Sequence, residues 1–112
     1  MLRGEVYQAN LNPSTGSEQG GTRPVVIVSR DALNANAPIV IVAPLTSREN
    51  KRRLYPTHVE LEAGDDGISK DSVVLCEQVR AISKERLTKR IGQVSGAKMQ
   101  LVGVALRIAM DL

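Results

Sequence analysis

Aromatic residues are nearly absent from this chain. Its 112 residues include no Trp and no Phe, and the two tyrosines are Tyr7 and Tyr55. Proteins that bind RNA by stacking bases on a sheet carry several aromatic side chains on one face. The chain lacks the residues for such a platform. A nucleic acid bound to it would have to be held by cations, backbone groups and side-chain hydrogen bonds.

Cysteine and histidine are equally scarce, with Cys76 and His58 as the single examples. One cysteine forms no internal disulfide, and together with one histidine it falls short of the usual zinc ligand set. A lone histidine also excludes RNA cleavage by a pair of histidines acting as acid and base. Asp65 and Asp66 have oxygen ligands that suit a hard cation, but a solvated turn explains them better. We therefore expect neither a metal ion nor a cofactor.

Long apolar runs are missing as well. No run approaches the ~20 residues of a membrane-spanning helix, and the first five residues lack the apolar segment of a secretory signal. With the single cysteine, these features predict a cytoplasmic protein without a membrane partner. The length predicts one domain over residues 1–112. A net charge of +3 suits a polyanionic partner without identifying one.

Short apolar stretches predict a mainly β chain with some helix. Alternating or continuous apolar residues indicate strands at 3–11, 24–29, 39–45, 57–61, 72–79 and 87–94. A helical turn is expected at 31–34, a turn at 64–67, and a turn or short helix at 82–87. Several short strands with a terminal helix indicate a small, strongly bent sheet or barrel on which that helix packs.

The C-terminal segment has the pattern of an amphipathic helix. Ser95 is a suitable N-cap. Beyond it, one stripe at helical spacing contains Leu101, Ala105, Ile108 and Leu112. Neighbouring apolar residues make the arc broader than one face of a small sheet requires, which indicates a dimer contact.

The segment Ser17–Pro24 (SEQGGTRP) stands directly before a continuous apolar strand. Gly20 and Gly21 permit backbone shapes that are closed to other residues and allow close approach to the main chain. Pro24 restricts Arg23 to extended shapes, and the guanidinium offers a planar fork of donors that suits phosphate. The residues alone leave two readings open, a phosphate site and a hairpin loop with a solvated arginine.

The same segment resembles the signature of the MazF/PemK (Kid) family of toxin endoribonucleases. The resemblance continues, in the same order and spacing, through Arg3–Tyr7, Val42–Ser47, Pro56–Glu60 and Asp71–Arg80. It therefore covers almost the whole chain. It implies the SH3-like small β-barrel with a C-terminal helix, which periodicity alone does not establish. It also implies a homodimer that is held inactive by a small MazE-like antitoxin.

The resemblance makes Arg23 and Thr46 the catalytic pair. Metal-independent RNA cleavage uses the 2′-hydroxyl of the substrate as nucleophile, and the protein must stabilise the charge that builds up on the phosphate. Arg23 suits this electrostatic role better than proton transfer, although the resemblance allows both. The hydroxyl of Thr46 can donate to a phosphate oxygen. Without the resemblance, a threonine at a strand end would be interpreted as a capping group.

Other residues are predicted to bind substrate: Ser17, Glu18, Gln19, Gly20, Gly21, Arg48, Arg52, Arg53, His58, Glu77 and Gln78. The loop residues resemble the family's loop beside the scissile phosphate. The arginines follow Thr46 and suit flanking phosphates, with a solvated charge run as the alternative. Glu77 and Gln78 are expected to read bases or simply to end a strand. His58 is either a contact to RNA or a surface residue.

Together these features predict a sequence-specific endoribonuclease, the toxin of a toxin–antitoxin pair. It would cleave single-stranded RNA, most often mRNA, without metal, to 2′,3′-cyclic phosphate and 5′-hydroxyl ends. One alternative is a non-catalytic CcdB-like toxin that binds gyrase. The Gly20–Pro24 segment and the absence of a C-terminal tryptophan count against it. A degenerate member that only dimerises or regulates ranks last, because all expected site residues are present.

Overall fold

The computed structural model describes residues 1–64 and 67–112, which form seven strands and two α-helices. The strands are β1 (Glu5–Asn10), β2 (Thr22–Ile27), β3 (Ile39–Ser47), β4 (His58–Leu61), β5 (Ser72–Leu75), β6 (Arg80–Ser83) and β7 (Leu87–Gln93). The helices are α1 (Asp31–Asn36) and α2 (Gly96–Met110). Short 3₁₀ turns occupy Arg48–Asn50, Cys76–Gln78 and Lys84–Arg86. The mainly β class with a C-terminal helix is therefore confirmed.

Strand β3 organises the sheet because it has partners along both edges. The strand order is β4-β5-β3-β2-β1-β7, β6 also pairs with β3, and the pairs are antiparallel. One edge of β3 pairs with β2 at residues 42–44. The other edge pairs with β6 at residues 39–42 and then with β5 at residues 45–47. This change of partner divides the sheet into two parts that together form a small, barrel-like shape.

Side chains are buried on both faces of the sheet, in keeping with the two-residue period of a strand. The core beneath α2 contains Val6, Val26, Ala43 and Val74. The core on the opposite face contains Ala9, Val25, Val42 and Ile82. Burial on both faces explains why the central strands are continuous apolar runs in the sequence.

Helix α2 begins as predicted and buries part of its apolar arc in the core. Ser95 Oγ accepts a hydrogen bond from the Lys98 N–H at 3.2 Å, which confirms the N-cap. Met99, Val102 and Ala105 point into the core. Of the predicted stripe, Ala105 is buried in the core, whereas Leu101, Ile108 and Leu112 are exposed. With apolar residues around most of the helix, the fit to the sheet decides which of them are buried.

The segment after Ser72 also differs from the prediction. The strand ends at Leu75, and the chain then makes a 3₁₀ turn in which the Val79 N–H donates to the Cys76 carbonyl at 3.3 Å. Strand β6 follows, although a turn or short helix was expected from residue 82. Only Ile82 of β6 is buried, so the strand has too little apolar alternation to be recognised. The other predicted strands and the turn at 31–34 are confirmed within a few residues.

Cys76 is fully buried and belongs to the core beneath α2. Burial, with a smaller contribution from the Glu77 carboxylate, raises the pKa of this thiol to about 12. The thiol is therefore protonated at neutral pH. Asp65 and Asp66, at the centre of the predicted turn, lie outside the described residues. No helix formed by the described residues is long and apolar enough to cross a membrane.

Candidate functional site

Arg23 and Thr46 lie just beyond the last paired residues of strands β2 and β3. Paired residues in this ladder run from Ile27 opposite Val42 to Val25 opposite Pro44. The same register, continued by two residues, places Arg23 opposite Thr46. Both residues line one cavity of about 510 Å³, which we call the Arg23 cavity. The structure thus brings the two predicted catalytic residues together.

The guanidinium of Arg23 is held in place by two backbone carbonyls. Nε donates to the Gly20 carbonyl at 2.8 Å, and Nη1 donates to the Leu45 carbonyl at 3.4 Å. These contacts use two of the five donors of the guanidinium. The side chain is half-buried, so the remaining N–H groups are oriented and partly shielded from water. This is a suitable arrangement for binding a phosphate.

Thr46 is almost fully buried, with 6% of its surface exposed. Its Oγ1 accepts a hydrogen bond from Asn50 Nδ2 at 3.1 Å. Because a hydroxyl both accepts and donates, this contact leaves the hydroxyl proton of Thr46 for another acceptor. Asn50 therefore orients the hydroxyl while its hydrogen remains available to a ligand.

The Arg23 cavity contains several residues that the sequence did not indicate. These are Gln8, Asn50, Ser69, Lys70 and Ser72. Arg23 and Lys70 are the charged residues among the described lining residues, and these two positive charges favour an anion. Asn50 follows Thr46 by one helical turn in the sequence, and this spacing could have indicated that the two side chains lie close together. Within residues 1–64 and 67–112, no group of three or more His, Cys, Asp or Glu residues is placed to hold a metal ion.

A second cavity, of about 520 Å³, is lined by five of the residues predicted to bind substrate. Ser17, Glu18 and Gln19 line one side, and Glu77 and Gln78 line the other. Pro44 of β3 also lines this cavity, and the next two residues of β3 line the Arg23 cavity. The two cavities therefore flank the same strand. We call this second one the loop cavity.

Gln78 binds the loop 17–19 with both ends of its side-chain amide. Its Oε1 accepts from the Gln19 N–H at 2.8 Å, and its Nε2 donates to the Ser17 carbonyl at 3.2 Å. Gln78 thus positions the loop on either side of Glu18, which is exposed. A contact between Gln78 and a base stays a prediction, because both polar atoms of the amide are already engaged.

Removal of the Gln78 side-chain amide should make the loop 17–19 more mobile. In Gln78→Leu, the Gln19 N–H loses its acceptor, and we expect its hydrogen exchange to become about threefold to tenfold faster. The measurement is exchange of individual amides by NMR. Gln93→Leu, at an exposed position at the end of β7 and outside both cavities, is the matched control and should leave Gln19 unchanged. Equal protection of Gln19 in all three proteins would contradict the assigned role.

Gly20 and Gly21 shape the loop from within. A Cβ on Gly20 would clash with Ser14 Oγ and would stand 2.8 Å from Ser14 Cβ, so only glycine fits without a shift. Gly21 has a φ of +73° and donates its N–H to Asn12 Oδ1 at 2.8 Å. The prediction that this loop needs glycine is supported by the geometry. The two glycines have a structural effect, because the loop conformation that they permit places the Gly20 carbonyl against Arg23.

His58 lies inside the protein, with 1% of its side chain exposed, and the surface alternative is wrong. Nδ1 accepts from the Tyr55 N–H at 3.1 Å, so the ring proton is assigned to Nε2, which donates to Glu77 Oε2 at 2.8 Å. Thr57 Oγ1 donates to the other carboxylate oxygen of Glu77 at 3.2 Å. His58 therefore orients Glu77 toward the loop cavity, and its own contact with RNA stays a prediction.

The arginines that follow Thr46 lie outside the two cavities. Arg48 forms an ion pair with Glu60, with Nε and Oε2 at 3.3 Å, and it also donates to the Lys51 carbonyl. Arg52 and Arg53 are exposed. None of the three arginines lines the Arg23 cavity or the loop cavity. Their binding of flanking phosphates stays a prediction.

Fold and site together define a small, barrel-like β protein with a positively charged Arg–Thr cavity suited to phosphate. A family model described as "PemK-like, MazF-like toxin of type II toxin-antitoxin system" matches residues 2–110. The chain belongs to this family. The resemblance of its motifs to MazF/PemK is thereby confirmed.

Named relatives agree with this assignment. The chain is 48% identical over 112 residues to the protein named Endoribonuclease MazF from Staphylococcus saprophyticus subsp. saprophyticus, with all of this chain and 92% of the relative covered. A mycobacterial endoribonuclease solved with its cognate antitoxin superposes with a TM-score of 0.82 at 29% identity, covering 100% of this chain and 96% of that one. MazF from Deinococcus radiodurans gives 0.84 at 26% identity, with 100% and 97% covered.

Proposed function

We propose that this protein is an endoribonuclease that cleaves single-stranded RNA at specific short sequences, as the toxin of a toxin–antitoxin module. The observation that carries the proposal is the convergence of Arg23 and Thr46 in one cavity, with the guanidinium fixed by two carbonyls. Family membership and the names of the relatives support it. With mRNA as substrate, the protein acts in the cytoplasm and uses neither metal nor cofactor.

The proposed reaction uses the 2′-oxygen of the substrate as nucleophile. The 2′-hydroxyl loses its proton as its oxygen bonds to the adjacent phosphorus, and the bond from phosphorus to the 5′-oxygen breaks. That oxygen takes up a proton, so the products are a 2′,3′-cyclic phosphate and a 5′-hydroxyl. Arg23 binds the non-bridging oxygens, whose negative charge increases in the transition state. The Thr46 hydroxyl donates to one of the same oxygens.

The loop cavity is proposed to hold the bases beside the cleaved phosphate. Glu18 and Glu77 offer carboxylate acceptors, and the backbone of loop 17–19 offers further polar groups. Hydrogen bonds to base edges distinguish one sequence from another, whereas phosphate contacts do not. His58 and Gln78 support this surface by holding Glu77 and the loop in place.

Helix α2 supports the proposal of a homodimer. Leu101, Val104 and Ile108 are between 51% and 54% exposed on a helix that already buries another face. Contiguous exposed apolar residues of this kind are typical of an interface, and we propose a second copy of the chain as the partner. The cognate antitoxin is the other proposed partner, as in the mycobacterial complex.

An acidic residue on this face should prevent dimer formation. In Val104→Asp, a carboxylate would be buried between two copies, and we expect the dimer dissociation constant to rise at least about a hundredfold. Sedimentation equilibrium measures the change. Ala81→Asp, at an exposed position on β6, is the control and should leave the dimer intact. An undisturbed dimer in the Val104 variant would place the interface elsewhere.

The direct test of the function is incubation of the purified protein with a long mRNA in excess EDTA. Mapping of the cut sites should reveal a recurring short sequence. Intact RNA, or cleavage that chelation abolishes, would contradict the proposal. Tight gyrase binding without RNA cleavage would instead support the CcdB-like alternative.

A further inference from the structure

Gln8 carries a buried carbonyl oxygen without a partner. Its Oε1 is out of contact with solvent and accepts no hydrogen bond from the described residues. The residue lies on β1 opposite Pro24, which has no N–H to offer. Its side chain lines the Arg23 cavity. A polar group in this state is unusual, because buried polar atoms in native proteins are nearly always hydrogen-bonded.

A structural role does not explain this glutamine. Val6, two residues earlier on the same face of β1, belongs to the core beneath α2. An apolar side chain at residue 8 would extend that core without leaving a carbonyl unsatisfied. The pairing of β1 with β7 is irregular on both sides of Tyr7 and Gln8. Such bulges are common beside active sites, where they redirect a side chain.

The polar groups of the Arg23 cavity show what Gln8 can contribute. The charged side chains among the described lining residues, Arg23 and Lys70, are donors without acceptor capacity. They suit phosphate and the carbonyl oxygens of bases. An exocyclic amino group of a base requires an acceptor instead. Asn50 is exposed, whereas Gln8 lines the cavity with a carbonyl oxygen that is shielded from water and has no partner to give up when a base binds.

We propose that Gln8 is a specificity-determining residue that binds a base with an exocyclic amine, adenine or cytosine, in the Arg23 cavity. Oε1 accepts from the amino group, and Nε2 donates to the adjacent ring nitrogen, as amide side chains do with adenine. The end of a glutamine side chain turns easily, so the amide can align with the base on binding. This inference rests on the proposed ribonuclease function and names the base chemistry that its site recognises.

The first test varies the substrate. Once the cleaved sequence is mapped, each adenine is replaced in turn by purine and each cytosine by 2-pyrimidinone, which removes only the amino group. At one position, the wild-type protein should lose about tenfold to a hundredfold in kcat/KM. The nature of that position distinguishes adenine from cytosine. Equal rates on all substituted RNAs would overturn the inference, whereas no cleavage of any RNA would overturn the proposed function itself.

The second test varies the protein. In Gln8→Met, an unbranched side chain of similar size lacks the acceptor, so the amino and deamino substrates should be cleaved with the same kcat/KM. The variant should also be more stable, with a Tm higher by roughly 3–8 °C, because an unsatisfied carbonyl is removed. If Gln8 had a structural role, the substitution would lower the Tm. Gln93→Met, at an exposed position outside both cavities, controls for the loss of a glutamine elsewhere.

Two results in the variant would contradict the role of Gln8. One is a Gln8→Met protein that still distinguishes the amino from the deamino substrate as strongly as the wild type. The other is a fall in Tm accompanied by an unchanged cleavage sequence. Gln8→Glu provides an independent check, because it keeps an acceptor and should retain part of the discrimination.

Discussion

Arg23→Ala should lower kcat/KM for RNA cleavage by about 10³-fold while leaving the fold intact. The Gly20 and Leu45 carbonyls hold the guanidinium in place beyond the paired residues of β2 and β3. Its remaining donors are available to the phosphate. Its loss removes a positive charge where negative charge increases in the transition state. Initial rates on a short RNA containing the mapped sequence measure the effect.

Two further variants make this result specific. Arg30→Ala removes an exposed arginine outside both cavities and should leave the rate unchanged. Arg23→Lys keeps the charge but loses the planar fork, so it should recover only a small part of the activity. Wild-type cleavage by Arg23→Ala would show that the chemistry occurs elsewhere in the protein.

Thr46→Val should lower kcat by about 10²-fold, because the variant keeps the shape of the side chain and loses the hydroxyl. Asn50 orients this hydroxyl through a 3.1 Å hydrogen bond, so its proton is available to a phosphate oxygen. Single-turnover rates at saturating protein separate this effect from substrate binding. A loss confined to KM would assign Thr46 to binding.

Thr46→Ser is the matched control for this substitution. It retains the hydroxyl and should stay within a few-fold of the wild-type rate. Thermal unfolding of both variants is needed as well, because valine leaves Asn50 Nδ2 without its acceptor. Equal losses of activity in the serine and valine variants would indicate a packing role for the residue.

Most strands are predictable because the sheet is buried on both faces. Residues such as Val25, Val26 and Ile27 face alternate cores, so they form an apolar run that indicates a strand from local sequence alone. The inward face of α2 is different. Leu101 and Val102 are both apolar, and only the packing of the finished sheet determines that Val102 is buried and Leu101 exposed.

Some residues of the site are likewise predictable from neighbouring sequence, whereas others come together only in the folded protein. Arg23 and the glycine loop are adjacent in sequence, so their pattern alone suggests a phosphate site. Lys70 reaches the cavity only through the return of β5 to β3, and nothing near it in the sequence signals this. Gln78 and Gln19 are 59 residues apart, so their contact is likewise a product of the fold.

The central claim is that this site cleaves RNA through the substrate's own 2′-hydroxyl. It is tested by an RNA in which the nucleotide on the 5′ side of the cut carries a single 2′-deoxy substitution, incubated with the protein in EDTA. The account predicts that this RNA stays intact at the mapped site, while the unmodified RNA gives 2′,3′-cyclic phosphate and 5′-hydroxyl ends. Cleavage of the deoxy substrate, or 5′-phosphate ends from the unmodified one, would contradict it.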